Sequence, residues 1–130
     1  PYTTLFRSLL FAADLHLIIQ KASAADIVFP SKLANILSAG GVALVTTEPD
    51  TALGQLKAKF PDIFFTIPPE DVDALVKAIV DIYFQMRKEK CIKLPYAAAR
   101  EFAEKFLSKE MILSSFGEHL MTLFSTTPGI

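Results

Sequence analysis

Short apolar runs alternate along this chain with longer stretches in which apolar residues stand three or four positions apart. The runs are nearly continuous, as in strands that are buried within a parallel sheet. They lie at residues 15–20, 42–46 and 63–67. The longer stretches have the period of amphipathic helices, and residues 9–13 have the pattern of a helix end. These predicted helices lie at residues 31–39, 51–60, 71–88, 96–107 and 108–124.

Strands that alternate with helices predict a parallel sheet with right-handed crossovers. The predicted fold class is α/β: a partial Rossmann-like parallel sheet of about three strands, with flanking helices and two C-terminal helices. Since a sheet covered on both faces usually has more strands, neighbouring strands are expected outside these residues, which are interpreted as a fragment. Residues 9–124 are interpreted as one partial domain and residues 125–130 as a frayed tail. Residues 1–8 resemble the translation of a common sequencing adapter and are interpreted as a non-native scar.

The helix that begins at Ser31 gives the most specific prediction. The Ser31 hydroxyl can accept a hydrogen bond from an unpaired amide of the first turn, which predicts an N-cap. Gly40 and Gly41 are expected to end the helix in left-handed geometry. The predicted buried face consists of Leu33, Ile36 and Leu37.

This helix follows the first strand after a loop, which predicts an anion site. In an open α/β sheet, helix N-termini lie at the carboxyl ends of the strands, where their amides bind anionic ligands. Lys32 places a positive charge in the first turn. An isolated lysine would be interpreted as a solvated surface residue, but its place at this helix start favours a phosphate ligand.

Composition narrows the function classes. The 130 residues carry a net charge of −1 and contain no basic stripe, so a nucleic acid partner is not expected. The single cysteine, Cys91, cannot form an internal disulfide, which favours the cytoplasm. No His- or Cys-pair spacing predicts a metal site. No apolar run reaches the roughly 20 residues that span a bilayer.

Pro30-Ser31-Lys32, followed by a helix and Ala39-Gly40-Gly41, resembles the C-terminal half of a GT-B glycosyltransferase of the retaining family 4. That half binds the nucleotide sugar, and the likeness is to the branch that makes bacterial exopolysaccharides, including colanic-acid-type enzymes. The resemblance extends from about residue 9 to residue 124. It also includes Ala13-Asp14-Leu15, Gln20-Lys21 and Ala99-Arg100-Glu101-Phe102-Ala103.

The resemblance implies transfer of a sugar, with retained anomeric configuration, from a nucleotide-diphosphate sugar to a glycan or lipid-linked acceptor. It implies no cofactor beyond that substrate. The acceptor would be bound by an N-terminal domain. No catalytic residue is expected in this chain, because the sequence supplies no nucleophile, and the chain alone is expected to be inactive. The full enzyme is expected in the cytoplasm, with peripheral association at the inner face of the membrane.

The resemblance also implies the donor-binding residues. Amides at Ser31 and Lys32 would hold the diphosphate, and Lys21 could reach the same anion from the preceding loop. Asn35 stands where most relatives have a glutamate that binds the ribose hydroxyls. Ile27 stands where they have a glutamate that contacts the sugar, which an isoleucine cannot replace.

Simpler interpretations remain open for several of these residues. Asn35 is as well explained by a polar group near the helix surface, and Lys21 by a solvated loop charge. His16, within an apolar strand, is expected to be a hydrogen-bonded core histidine rather than a catalyst.

Two other functions are alternatives for a chain with this order of elements. A non-catalytic flavodoxin-like regulatory domain would need an acidic cluster at the strand ends, and only Asp14 precedes the first strand. A GT-B-fold sugar-nucleotide epimerase would need a histidine and carboxylates along its cleft. Neither has Pro30-Ser31-Lys32 as a pattern.

Overall fold

The computed structural model describes residues 2–22, 31–88 and 94–108. Five helices and three strands lie within them. In chain order they are α1 (Tyr2–Ala12), β1 (His16–Ile18), α2 (Ser31–Ser38), β2 (Ala43–Thr46), α3 (Ala52–Lys59), β3 (Phe65–Ile67), α4 (Val72–Lys88) and α5 (Leu94–Phe106). The predicted last helix, apart from its first residue, and the predicted tail lie outside the described residues, as does Ile27.

The three strands form one parallel sheet in the order β1-β2-β3. In the register, Leu17 lies beside Leu44, which lies beside Phe65. Helix α2 connects β1 to β2, and α3 connects β2 to β3. The α/β fold class and the parallel sheet of three strands are therefore confirmed. Each strand begins one or two residues later than predicted, and β1 also ends two residues earlier, at Ile18.

Helices cover the sheet on both faces. On one face, Ala43 and Val45 of β2 pack into a core with residues of α1, α2, α3 and α5. On the other face, Val42 and Leu44 pack with Ile82 of α4. Successive side chains of a strand point to opposite faces, so all four residues of β2 are buried. The central strand is therefore the middle of a three-layer structure.

The predicted buried face of α2 is confirmed. Leu33 and Leu37 are 0% exposed and Ile36 is 5% exposed. Burying such side chains contributes about 1.5–3 kcal/mol each, which exceeds the modest helix propensity of an eight-residue segment. These residues pack against α5, whose Phe102 stacks edge-on against Phe60 with ring centroids 4.9 Å apart.

Two burial predictions on the α4 side of the sheet are wrong. The helical spacing of the apolar residues in α4 predicts one apolar face, made of Val72, Leu75, Val76, Ile79, Ile82 and Tyr83. Of these, Val72, Val76 and Tyr83 are 69%, 56% and 50% exposed. Strand β1 was predicted to be covered on both faces, but Leu17 and Ile19 are 49% and 57% exposed. Both differences reflect the position of α4 on the sheet. Helix α4 packs on β2 and β3, whereas β1 is an edge strand of the described sheet.

The ends of α2 are only partly as predicted. Gly40 has φ 72°, its amide donates to Leu37 O at 2.9 Å, and the Gly41 amide donates to Ile36 O at 2.8 Å. This is the Schellman arrangement, in which glycine adopts the left-handed conformation without steric cost. Gly41 is not left-handed, because the motif needs that conformation at one residue only. Ser31 is the first described residue of α2, and its role as the N-cap stays a prediction.

Helix α1 extends back to Tyr2 and therefore includes most of residues 1–8. Its end at Ala12 agrees with the helix end predicted at residues 9–13, and the origin of residues 1–8 stays a prediction. Throughout the described part of the chain, every helix is too short or too polar to cross a bilayer.

Candidate functional site

The start of α2 lies at the edge of the sheet where the strands end. Helix α2 leaves the carboxyl end of β1 and leads to the amino end of β2, which is parallel to β1, so the helix runs against the strand direction. Its N-terminal amides therefore lie at the carboxyl edge of the sheet, where such folds bind anions. Ser31 and Lys32 are both exposed at this helix start.

Lys21 reaches the same edge from another element. It lies three residues beyond Ile18, the last residue of β1, and its side chain is exposed. Within the described residues, neither Lys21 nor Lys32 forms an ion pair with a carboxylate. Two cations and the amides of α2 thus belong to one edge of the sheet.

The structure places Asn35 differently. It is exposed on the next turn of α2 and lines a cavity of about 360 Å³ between α1, α2 and α5. That cavity contains neither Ser31 nor Lys32. Its other lining residues are Phe6, Leu10, Phe11, Ser38, Ala39 and Arg100. Asn35 therefore lies on the same helix as Ser31 and Lys32, but the cavity that it lines includes neither of them, nor Lys21.

A buried threonine joins the carboxyl ends of β1 and β2. Thr46, the last residue of β2, is 3% exposed. Its Oγ1 accepts a hydrogen bond from the Gln20 amide at 2.6 Å and donates to the Gln20 carbonyl at 3.0 Å. One hydroxyl thus satisfies both backbone groups of a residue that lies beyond the end of the ladder.

A second threonine pair fixes the turn that follows β2. The hydroxyls of Thr47 and Thr51 lie 2.6 Å apart, and the Thr51 hydroxyl donates to Glu48 O at 2.8 Å. Thr51 Oγ1 also accepts from the Gly54 amide at 3.1 Å and so caps α3, which selects Thr51 from the two caps, Asp50 and Thr51, that the sequence allows. A Cβ on Gly54 would lie 2.2 Å from Glu48 O, so only glycine fits there.

Sequence reasoning missed these threonines as part of the site. A signal was present, since two threonines end an otherwise apolar strand at the edge where ligands bind. Their partners were not predictable, because Gln20 and Thr46 are 26 positions apart.

Two other ionisable side chains, Lys57 and His16, form hydrogen bonds away from this edge of the sheet. Lys57, near the end of α3, donates to the carbonyls of Pro61 and Phe64, and burial lowers the pKa of its amine. His16 Nε2 lies 3.0 Å from Leu10 O, so His16 is hydrogen-bonded as predicted. The described residues contain no group of three or more side chains that could hold a metal ion.

No family model matches this chain, and no solved structure matches it. The chain is 45% identical over 109 residues to WcaI of Escherichia coli (strain K12), a protein named as a colanic acid biosynthesis glycosyl transferase. The aligned residues are 84% of this chain and 25% of WcaI, so the chain spans about a quarter of that relative's length. The predicted resemblance to a colanic-acid-type glycosyltransferase is confirmed.

Proposed function

We propose that this chain is part of the donor-binding domain of a retaining GT-B glycosyltransferase of exopolysaccharide biosynthesis. The full enzyme would move a sugar from a nucleotide-diphosphate sugar to a glycan or lipid-linked acceptor. One observation carries the proposal: the start of α2, with Ser31 and Lys32, lies at the carboxyl edge of a parallel sheet in a chain 45% identical to WcaI.

The chemistry of the leaving group suits this helix start. When the bond between the sugar and the diphosphate breaks, negative charge develops on the diphosphate. Unpaired amides at a helix N-terminus and the positive end of the helix dipole stabilise such charge. Lys32 adds a full positive charge in the first turn, and Lys21 can approach the same anion from β1. The contribution of this chain is therefore electrostatic stabilisation by groups that are already in position.

Asn35 is proposed to hold the nucleoside. Its amide can donate to and accept from the ribose hydroxyls, as the resemblance implies. The acceptor would be held by other parts of the full enzyme, at the inner face of the membrane, and the 130 residues alone are expected to transfer no sugar.

Binding of a nucleoside diphosphate tests the proposal, since it does not depend on turnover. UDP and GDP are titrated into the purified chain by calorimetry, and Lys32→Ala is compared with the parent. A charge-assisted hydrogen bond contributes about 1.5–3 kcal/mol, so Lys32→Ala is expected to weaken binding about ten- to a hundredfold. Ser31→Ala is expected to cost less, because the backbone amides remain.

The matched control is Lys59→Ala, which removes an exposed lysine from the far end of α3 and is expected to leave binding unchanged. Circular dichroism confirms that each variant folds. A parent chain that binds neither diphosphate contradicts the proposed function. A folded Lys32→Ala that binds as tightly as the parent contradicts the assignment of the site.

A further inference from the structure

One hydroxyl group fixes the chain where it leaves the sheet after β1. Thr46 Oγ1 accepts a hydrogen bond from the Gln20 amide at 2.6 Å and donates to the Gln20 carbonyl at 3.0 Å. Both backbone groups of Gln20 therefore point toward β2, as in a paired strand, although the ladder with β2 ends at Ile18. The side chain of Thr46 thus takes the place of a backbone partner and holds the chain to β2 beyond the end of the ladder.

The same contact orients the beginning of Lys21. The carbonyl of Gln20 and the amide of Lys21 belong to one planar peptide unit, and no described peptide bond is cis. Because this carbonyl points at β2, the Lys21 N–H is directed away from β2. The Cα atoms of adjacent residues lie about 3.8 Å apart, so the Cα of Lys21 is held close to the carboxyl ends of β1 and β2.

The position of this Cα decides how often the Lys21 ammonium meets a ligand at the start of α2. Lys21 is exposed, and a lysine ammonium lies at the end of a flexible stem of four carbons. If the chain beyond β1 also moves freely, the ammonium is spread over more positions, and ordering it on binding costs more free energy. A fixed main chain lowers that cost and so raises the affinity for an anion.

We propose that Thr46 is a positioning residue of the donor site: its hydroxyl holds Lys21 at the carboxyl edge of the sheet, where the Lys21 ammonium binds the diphosphate. The inference rests on the proposed function, in which the diphosphate lies at the start of α2. Thr46 is itself 3% exposed and acts through Lys21 rather than on the ligand. A threonine that only stabilised β1 would leave the affinity of the folded protein unchanged.

The test is a double-mutant cycle on the purified chain. Thr46→Val removes the hydroxyl at nearly constant volume, Lys21→Ala removes the ammonium, and a double variant carries both changes. Thr46→Ser keeps a hydroxyl, and Thr66→Val on β3 is the matched control. Thr46→Cys, whose thiol is only a weak hydrogen-bonding group, replaces Thr46→Val in the cycle if the valine variant does not fold.

Affinities for UDP and GDP are measured by calorimetry, at a temperature at which circular dichroism shows that each variant is folded. Lys21→Ala is expected to weaken binding about three- to tenfold, less than Lys32→Ala, because Lys21 is exposed on a loop. Thr46→Val is expected to weaken binding about two- to fivefold, since part of the Lys21 contribution is lost.

The cycle separates positioning from stability. In the absence of the Lys21 ammonium there is nothing to position, so the double variant is expected to bind as tightly as Lys21→Ala alone. Thr46→Ser and Thr66→Val are expected to bind as tightly as the parent, because the first restores the hydroxyl and the second leaves Thr46 in place.

Three results overturn the inference while leaving the proposed function in place. If Lys21→Ala binds as tightly as the parent, the lysine does not contact the diphosphate. If a folded Thr46→Val binds as tightly as the parent, the hydroxyl is only structural. An equal loss from Thr46→Val with and without the Lys21 ammonium would mean that the hydroxyl acts through another group. A parent that binds neither diphosphate overturns the proposed function and this inference together.

Discussion

Replacing Thr46 by valine is expected to loosen the carboxyl end of β1 with almost no change in shape. Valine has nearly the same volume and suits a strand, so the substitution removes the hydroxyl and little else. That hydroxyl bonds to the Gln20 amide at 2.6 Å and to the Gln20 carbonyl at 3.0 Å. Both backbone groups lose their partner in Thr46→Val.

The expected loss of stability follows from these two bonds. An unpaired buried backbone group costs about 1–3 kcal/mol, and the lower end applies because Gln20 is half-buried and water can reach it in part. Two groups at about 1 kcal/mol each give roughly 2 kcal/mol. The additional buried methyl of valine offsets about 0.5–1 kcal/mol. The net loss in the free energy of unfolding is therefore about 1–1.5 kcal/mol, or about 4–6 °C in melting temperature for a domain of this size.

Urea and thermal unfolding, followed by circular dichroism, measure the effect. The matched control is Thr66→Val on β3, where the threonine is half-buried and its hydroxyl has no partner among the described residues. The control is expected to change the unfolding free energy by less than about 0.5 kcal/mol. If Thr46→Val proves as stable as Thr66→Val, the threonine does not hold β1 and the position of Gln20 is not fixed as described.

Two further predictions concern the surroundings of the sheet. Gly41→Ala is expected to cost about 1–3 kcal/mol, measured by urea unfolding, because the new Cβ would lie 2.9 Å from Ile36 Cγ2 and 3.1 Å from the His16 ring; an unchanged midpoint would refute the close contact. Burial lowers the pKa of Lys57 in the folded protein below the 10.5 of the unfolded chain. Between these two pKa values the unfolded chain binds more protons than the folded protein. The contribution of Lys57 to stability therefore rises as the pH is raised toward 10.5. The difference in unfolding free energy between the parent and Lys57→Met is therefore expected to shift in favour of the parent with rising pH, and a difference independent of pH would contradict it.

Local signals explain which parts of the fold were predictable from sequence. The buried face of α2, the left-handed Gly40 and the Thr51 cap of α3 each depend on residues within a few positions of one another. A spacing of three or four residues or one glycine is enough to specify each. The position of the candidate anion site was predictable from the start of α2, because the order of strands and helices fixes the edge of the sheet at which that helix begins.

The wrong predictions depend on distant contacts. Helix α4 is apolar on more than one side, and only its position over β2 and β3 selects Ile82 rather than Val76 for burial. The exposure of Leu17 depends on which side of the sheet has a neighbour. The bond between Gln20 and Thr46 joins two elements through a helix and a loop, and no periodicity along the chain encodes it.

The central position of β2 has a consequence for the order in which the molecule opens. Amide hydrogens exchange with water when their hydrogen bonds break locally, and β2 is bonded on both sides while all its residues are buried. Within the described sheet, β1 and β3 are each bonded on one side only, so their amides are expected to exchange before those of β2. Lys21 follows β1, so a ligand bound between this lysine and the start of α2 is expected to slow exchange most at β1.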